Sequence, residues 1–418
     1  MNHVLAFTAF LVLPLVGLGI TRLEGVRRLD LGGRLAVAGA AGAALVAAAL
    51  ALLSILHIGW TRGTVFGVVA IVTGISIYAV RRSRALQAPA RSRDVAATLG
   101  IVVFALLTVY GLLDARESCG DLHFFWGPKA IHFHYDGGVK VAFLADPNNI
   151  QLSPGYPLLL PLLYSWTLTV SREFSWWAAV LASALFLFGS VALVRSASGD
   201  TRGALMMAAS LSYASAVAYA AGGAEPPLVF FETLTLVALT FLDDPRARTV
   251  LAALGLAGSV MLKIEGTTFA IAVVIALLVV HRNLRNTLVI AAPAALLLAA
   301  WLGFVKANGL FEYYRGAGMP VYVASIPKTL LLTMKVAGYE VYGLPWLAPL
   351  LLLVLGRARK AMLPALVALL TLGAAMFFYV HVPDPTWWIL SSAPRVLLTP
   401  LTAVVIAAVA ARRVKSEG

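Results

Sequence analysis

The longest polar interruption in this hydrophobic chain reads DARESCGDLHFFWGPKAIHFHYDGGVKVAFLADPNNIQLSPGYPLLLP and spans residues 114–161. It holds carboxylates, a lysine, histidines and a run of aromatic residues between two segments that are apolar enough to enter a bilayer. Charged side chains next to a bilayer are costly, and proteins retain them mainly where they serve a function. The stretch therefore predicts an active-site loop on the membrane surface, with the rest of the chain as its scaffold.

Composition places this loop in an integral membrane protein. The chain has 418 residues, of which 61% are hydrophobic and only 12% are charged, and its mean hydropathy is +0.89. Apolar runs long enough to cross a ~30 Å hydrocarbon core recur about 13 or 14 times, and their pattern is helical. We therefore expect an all-α polytopic fold with one large outer loop, residues 114–156.

The net charge of +13 does not indicate nucleic-acid binding, because Lys and Arg fall mainly in short loops between apolar segments. This distribution is the positive-inside pattern of membrane proteins. Arg22 and Arg27 follow the first apolar segment and no basic residue precedes it, which predicts a retained anchor with an outer N-terminus. Arg412 and Arg413 predict a cytoplasmic C-terminus. The same rule places the large loop on the non-cytoplasmic face of an inner or plasma membrane.

Counting crossings places four further polar stretches on the outer face, namely residues 224–227, 263–266, 305–342 and 381–395. Three apolar stretches separate the large loop from the first of these, at residues 157–170, 176–194 and 204–221. Two points on one face need an even number of crossings, so one stretch does not span. The first is the shortest and is the best candidate for a half-crossing or re-entrant helix.

Five short motifs follow one another along the chain: GDLHFFWGPKA (120–130), SPGYPLLLPLL (153–163), AEPPL (224–228), LKIEG (262–266) and DPTWWILSSAPR (384–395). Their order and spacing resemble the GT-C superfamily of polytopic membrane glycosyltransferases, in particular the branch of protein O-mannosyltransferases and aminoarabinose transferases. The resemblance covers roughly residues 95–418, about three quarters of the chain. Residues 1–94 remain outside it as an N-terminal three-helix extension, which we expect to pack beside the catalytic bundle or to make an oligomer contact.

The sequence departs from that family's usual pattern at four positions. Ser153 and Gly155 stand where the family has histidine and aspartate, Glu225 stands for aspartate, and Trp388 stands for histidine. These departures concern the sugar and its contacts more than the fold.

The resemblance implies transfer of a sugar from a polyprenyl-phosphate donor to a glycan, lipid or protein acceptor at the outer face, with inversion at the anomeric carbon. Such a transfer needs a general base, and Asp121 matches the family's acidic position. Its alternative role is an N-cap for the aromatic run after it. Glu225 is the second catalytic candidate, and its alternative is an acid favoured by the helix N-terminus ahead of Pro226 and Pro227. Glu232, two turns further on, needs a partner within the membrane.

The departing phosphate needs cations, and Lys129, Lys263 and Arg395 occupy motif positions in three outer stretches. Their alternative role is snorkelling or headgroup contact. Further candidate substrate contacts are Tyr156, as a hydrogen-bonding phenol, and three tryptophans that stack on a sugar or form an interfacial belt, namely Trp126, Trp387 and Trp388. We expect an outer cavity, open sideways to lipid, that is lined by Asp121, Lys129, Glu225, Lys263 and Arg395. Arg315 and Lys328 are weaker candidates.

The sequence does not predict a structural metal site. His123, His132 and His134 lack a recognised ligand spacing, and the single cysteine, Cys119, excludes an intrachain disulfide. The resemblance leaves a divalent cation on Asp121 and Glu225 open. Two other functional classes also stay open, a secondary transporter or lipid flippase and a non-catalytic membrane scaffold, although no clear internal repeat supports the transporter.

Overall fold

The computed structural model describes residues 2–81, 94–117, 119–215, 221–310, 321–337, 359–381 and 384–417. These residues form helices and loops, with no strand among them, and nine helical stretches are long and apolar enough to cross a membrane. The protein is therefore a multi-pass, all-α membrane protein, which confirms the fold class expected from its composition. The α-helices of the described residues are α1 (Asn2–Val16), α2 (Glu24–Arg27), α3 (Leu31–Ile55), α4 (Arg62–Arg81), α5 (Val95–Asp114), α6 (Gly127–Tyr135), α7 (Val141–Ala145), α8 (Leu159–Ser171), α9 (Trp176–Ser198), α10 (Thr201–Ser215), α11 (Glu225–Phe241), α12 (Pro245–Val260), α13 (Ile264–His281), α14 (Leu284–Ala307), α15 (Ile326–Lys335), α16 (Met362–Tyr379), α17 (Thr386–Val396) and α18 (Leu398–Glu417).

Short polar side chains set where several membrane helices begin. Asp94 accepts a hydrogen bond from the backbone N–H of Ala97 at the start of α5, and Ser175 accepts one from Ala178 at the start of α9. Asp30 does the same for α3. An N-cap oxygen satisfies a backbone donor that the helix itself leaves unpaired, which matters most where water is scarce.

Helix α11 is the centre of the bundle. All 17 of its residues are buried, and it packs against α9, α12 and α18. Helix α12 approaches it closely at Gly255, where a Cβ atom would lie 2.6 Å from the backbone oxygen of Phe231. Small residues allow such close contact between membrane helices. Glu225 is the first residue of α11 and therefore lies at one end of this fully buried helix.

The loops predicted to be cytoplasmic meet at one end of the bundle. The backbone N–H of Gly25 binds Asp244, that of Asp30 binds Ser196, and Arg412 pairs with Asp200 at 3.3 Å. Asp244 follows the last residues of α11, so this end is opposite to the one where Glu225 lies. The contacts agree with the predicted grouping of these loops. The assignment of this end to the cytoplasm remains a prediction.

Helix α8 begins and ends on the same side of the bundle. The backbone N–H of Leu159 binds the carbonyl of Met261, close to Lys263. After its last residue the chain reaches Trp176, whose ring lies 4.5 Å from that of His123 in the large loop. Thirteen residues of helix are also too short for a hydrocarbon core of ~30 Å. The length of α8 and the position of its two ends agree with the predicted half-crossing.

The N-terminal helices share the core of the remaining chain. Trp166 of α8 donates its indole N–H to the carbonyl of Ala9 in α1, and Arg62 donates to the carbonyls of Thr169 and Val170. α3 also packs along α9. Residues 2–81 therefore pack against the other helices, and their assignment to a separate N-terminal extension stays a prediction.

Candidate functional site

Five charged side chains meet at the end of the bundle where α11 begins. Arg395 Nη1 lies 2.5 Å from Asp121 Oδ2 and 3.6 Å from Glu225 Oε1. Lys263 Nζ lies 2.7 Å from the same Glu225 oxygen and 3.2 Å from Glu265 Oε1. These five residues are called the charged cluster below. They come from four stretches of the chain that the sequence analysis placed on one face, and the structure brings those stretches together.

Asp121 lies just before a short π-helical segment, Leu122–Trp126. Its carboxylate makes no capping hydrogen bond and is directed to Arg395 instead. The N-cap alternative is therefore wrong for this residue. π-Helical turns are rare and occur often at functional sites, because the extra residue changes the direction of neighbouring side chains.

Glu225 is the first residue of α11, with Pro226 and Pro227 after it. Prolines suit the first turn of a helix, and the helix dipole stabilises an acid there. Glu225 can therefore be both a stabilising acid at the helix N-terminus and a member of the site. The side chain is only 3% exposed. Because the carboxylate is enclosed between Lys263 and Arg395, its main effect is on the charge and position of those cations.

Lys263 and Arg395 reach the cluster from the ends of two other helices. Lys263 has an extended backbone directly before α13, and Arg395 lies in the last turn of α17. Lys263 is 7% exposed and Arg395 is 17% exposed in their side chains. Neither is a snorkelling residue at the lipid surface, since both are paired with carboxylates inside the protein.

Burial and neighbouring charges shift the pKa values of ionisable groups in and next to the charged cluster. Burial raises the pKa of Asp121, and the negative charge of Glu225 raises it further, against the opposing effect of Arg395. Burial alone would lower the pKa of Lys263, but Glu225 and Glu265 hold it above its usual value. Burial raises the pKa of the Cys119 thiol to about 12, so this cysteine is an unreactive thiol at neutral pH. Asp121 is thus a more basic carboxylate than an aspartate in water.

Lys129 lies in a separate environment. Its ammonium donates to the carbonyl of Ser153 at 2.7 Å, lies over the rings of Trp126 and Tyr156, and is fully buried. Ser153 adopts a left-handed backbone conformation that turns this carbonyl inward. The expectation that Lys129 lines one cavity with the other four residues stays a prediction. In the described part of the chain its ammonium holds the 153–156 turn against α6.

The tryptophans have different exposures. Trp126 is buried, with its indole nitrogen lacking a hydrogen-bond partner in the described part of the chain, whereas Trp387 is 64% exposed. Trp388 is half-buried, and its carbonyl accepts from Ser392, whose hydroxyl lies 2.8 Å from that of Tyr379. Trp388 and Arg395 are seven residues apart and therefore share a face of α17. This leaves Trp388 as the tryptophan best placed for a ligand of the cluster.

Sequence reasoning missed Glu265 as a site residue. It lies inside the LKIEG motif that the sequence analysis singled out, so the motif was the available signal. Other candidates lie elsewhere: Lys328 makes an exposed pair with Asp384, and Arg315 lies outside the described residues. Glu232 accepts a hydrogen bond from Thr399 of α18, the partner within the membrane that its position required.

The expected outer cavity around the cluster stays a prediction. An apolar cavity of about 170 Å³ lies between α5, α9 and α10, where it is lined by residues such as Phe104, Leu187 and Leu211. It shares no residue with the charged cluster, so we do not assign it to the site.

The residues do not fit a divalent cation. Asp121 Oδ2 and Glu225 Oε1 both contact cationic side chains, which would repel a metal ion. Among the described residues no three His, Cys, Asp or Glu side chains are grouped as metal ligands. His123 and His132 stack instead on Trp176 and Phe143.

Comparison of the chain with protein-family models, with curated protein sequences and with solved structures finds no match. The charged cluster must therefore be interpreted from its own chemistry.

Proposed function

We propose that this protein is a membrane glycosyltransferase that moves a sugar from a polyprenyl-phosphate donor to an acceptor at the non-cytoplasmic face. The observation that carries the proposal is the contact of Arg395 with both Asp121 and Glu225, beside Lys263. It combines a basic carboxylate with two cations at one end of a membrane bundle. The five motifs that resemble the GT-C superfamily supply the same residues in the same order.

In the proposed reaction, Asp121 is the general base. The acceptor oxygen attacks the anomeric carbon of the sugar, the bond between that carbon and the phosphate oxygen breaks, and its electron pair leaves with the phosphate. Asp121 takes the acceptor proton, so the products are a glycosylated acceptor and the polyprenyl phosphate. Attack from the face opposite the phosphate inverts the anomeric centre. The raised pKa of Asp121 favours this proton transfer, because a stronger base accepts the proton more readily.

Arg395 and Lys263 are the groups that stabilise the leaving phosphate. Phosphate gains negative charge as the sugar departs, and preformed cations in a water-poor site lower the energy of that state. Arginine also binds phosphate oxygens through two parallel N–H donors. Glu225 is a positioning residue in this scheme, since it is too enclosed to reach an acceptor and holds both cations.

One observation favours the alternative of a transporter or flippase. Glu232 is a fully buried acid in α11, and acids within membrane helices commonly mark ion or proton pathways. Its hydrogen bond to Thr399 is also what a structural acid between two helices would make. A catalytic assay separates the two functions.

The experiment is transfer of radiolabelled sugar from a panel of polyprenyl-phosphate sugars, in membranes that contain the wild type or Asp121→Asn. Glu117→Gln is the matched control, because Glu117 lies in the same loop but is 82% exposed, and its ion pair in the described part of the chain is with its neighbour Arg116. We expect transfer by the wild type and the control, and loss in Asp121→Asn at equal protein level. Equal transfer by Asp121→Asn would reject Asp121 as the base. Absence of transfer from every donor would reject the proposal in favour of transport.

A further inference from the structure

In the part of the chain that the structure describes, two carboxylate oxygens of the charged cluster are buried without a hydrogen-bond donor. Oε1 of Glu225 and Oε1 of Glu265 both contact Lys263 Nζ. The Oε2 atom of each accepts no hydrogen bond from the described part of the chain. Leaving a buried carboxylate oxygen without a donor is costly, so such atoms indicate a donor supplied from outside the described residues, and a bound ligand is one such source.

Glu265 is the more accessible of the two. Its side chain is 28% exposed, compared with 3% for Glu225. Lys263 is already paired with Glu225 at a shorter distance, so Glu265 is not needed to neutralise the buried lysine. A ligand that approaches the cluster therefore meets Glu265 before it meets Glu225.

The two Oε2 atoms can only accept hydrogen bonds, so they favour a ligand that donates them. A carboxylate oxygen is an acceptor only, and a hydroxyl is a donor that also tolerates the neighbouring cations. In a polyprenyl-phosphate sugar the phosphate oxygen is bonded to the anomeric carbon, and the 2-hydroxyl is on the next carbon. This hydroxyl is the sugar hydroxyl nearest to the phosphate, and Glu265 contacts the ammonium that the proposed function assigns to that phosphate.

We infer that Glu265 is a specificity-determining residue that accepts a hydrogen bond from the hydroxyl next to the anomeric carbon of the transferred sugar. This inference rests on the proposed donor class. A site built around a substrate hydroxyl rejects the analogue that lacks it, because the buried acceptor is then left unpaired. Donors without this hydroxyl are therefore poor ligands of the wild type.

The test is a binding measurement on the purified full chain by intrinsic tryptophan fluorescence. The probes are decaprenyl phosphate alone and decaprenyl phosphate that carries glucose, mannose, arabinose or ribose. Two further probes carry the 2-deoxyhexose that is the common parent of glucose and mannose, and the 2-deoxypentose that is the common parent of arabinose and ribose. Whichever epimer the site accepts, its parent differs only by the hydroxyl in question.

We expect the best sugar-bearing ligand to bind the wild type at least about tenfold more tightly than its deoxy parent. In Glu265→Ala this ratio falls to about one, while decaprenyl phosphate alone binds equally well or better, because a negative charge beside Lys263 is removed. Glu117→Ala is the control and retains the wild-type ratio. Glu265→Gln is the second variant in case alanine disturbs folding, and we expect it to reduce the ratio.

Two results would overturn the inference and leave the donor class intact: equal binding of parent and hydroxylated ligands by the wild type, or an unchanged ratio in Glu265→Ala. A different result concerns the proposed function itself. If the wild type binds none of the probes, including decaprenyl phosphate alone, the donor class is wrong and the role of Glu265 fails with it.

Discussion

Asp121 and Arg395 are 274 positions apart in the chain, and their side chains form a direct ion pair at 2.5 Å. The pair joins the large polar loop to the last turn of α17. It also brings the proposed base into contact with a proposed phosphate-binding cation. The arrangement implies that a donor phosphate competes with Asp121 for the same guanidinium, and so frees the carboxylate where it is needed.

The first prediction concerns this guanidinium. In Arg395→Lys we expect transfer to fall by about 10²–10³-fold, because an ammonium lacks the two parallel N–H donors with which a guanidinium binds phosphate. The measurement is the initial rate of sugar transfer at saturating donor. Lys328→Ala is the control, since its pair with Asp384 is exposed and contributes little. Retention of the wild-type rate by Arg395→Lys would remove Arg395 from the proposed chemistry.

The second prediction concerns the buried pair of Lys263 and Glu225. Lys263→Met leaves Glu225 buried beside one cation fewer, and we expect a loss of about 3–5 kcal/mol in the free energy of unfolding. Adding Glu225→Leu should recover part of that loss, because the more deeply buried of the two carboxylates paired with Lys263 is then removed as well. Thermal unfolding in detergent micelles measures both variants. Equal stability of the single and double variants would show that the pair is not energetically coupled.

The third prediction concerns pH. Asp121 must be ionised to accept a proton, so activity is lost as the pH falls through its pKa. That pKa is raised by burial and by Glu225, so the loss begins at a higher pH than an aspartate in water would give. In Glu225→Gln the pKa of Asp121 falls, and the acid limb of the rate profile moves to lower pH. Glu117→Gln serves as the reference, and an acid limb that stays in place in Glu225→Gln would contradict the assignment of the base.

The fourth prediction concerns the turn that leads into α11. Gly222 has a positive φ of 75°, and a Cβ atom there would lie 2.4 Å from the side chain of Leu122, next to Asp121. We expect Gly222→Ala to reduce transfer by about 10–100-fold through displacement of the loop. Gly199→Ala is the matched control, because Gly199 has a similar φ of 71° and open space around it. Both variants should lose about 1 kcal/mol of stability from backbone strain, and only the first should lose activity.

The fifth prediction concerns orientation. In a Cys119→Ser background we expect a membrane-impermeant maleimide to label Tyr135→Cys in intact cells but not Arg246→Cys. Both positions are exposed, and they lie at the opposite ends of the bundle. Detergent permeabilisation should make the second position reactive. The reverse pattern would place the charged cluster on the cytoplasmic face.

Much of the fold could be predicted from hydrophobic patterning. Membrane helices must satisfy their backbone hydrogen bonds internally, so a long apolar run has few conformations open to it. The same patterning, combined with the count of crossings, identified α8 as the shortest segment. Patterning could not decide whether Asp121 is an N-cap or a site residue, because an aspartate directly before an apolar run is compatible with both roles.

The charged cluster was only partly predictable. Motif positions identified Asp121, Glu225, Lys263 and Arg395, but placed Lys129 with them and omitted Glu265. Lys129 is directed to the carbonyl of Ser153 because that residue adopts a left-handed conformation, which no motif reveals. Glu265 joins the cluster because α13 begins directly after Lys263 and turns the next acid toward the same ammonium.

The sequence by itself determined the class of protein and its helical character, since these follow from local hydrophobicity and charge. It also predicted that the polar stretches share one face of the membrane. Only the tertiary structure decided which side chains touch. Packing around α11 sets the distances between Arg395, Asp121 and Glu225, and those distances depend on contacts between residues far apart in the chain. Local sequence does not specify contacts between distant residues, so the partner of each charged side chain is known only from the tertiary structure.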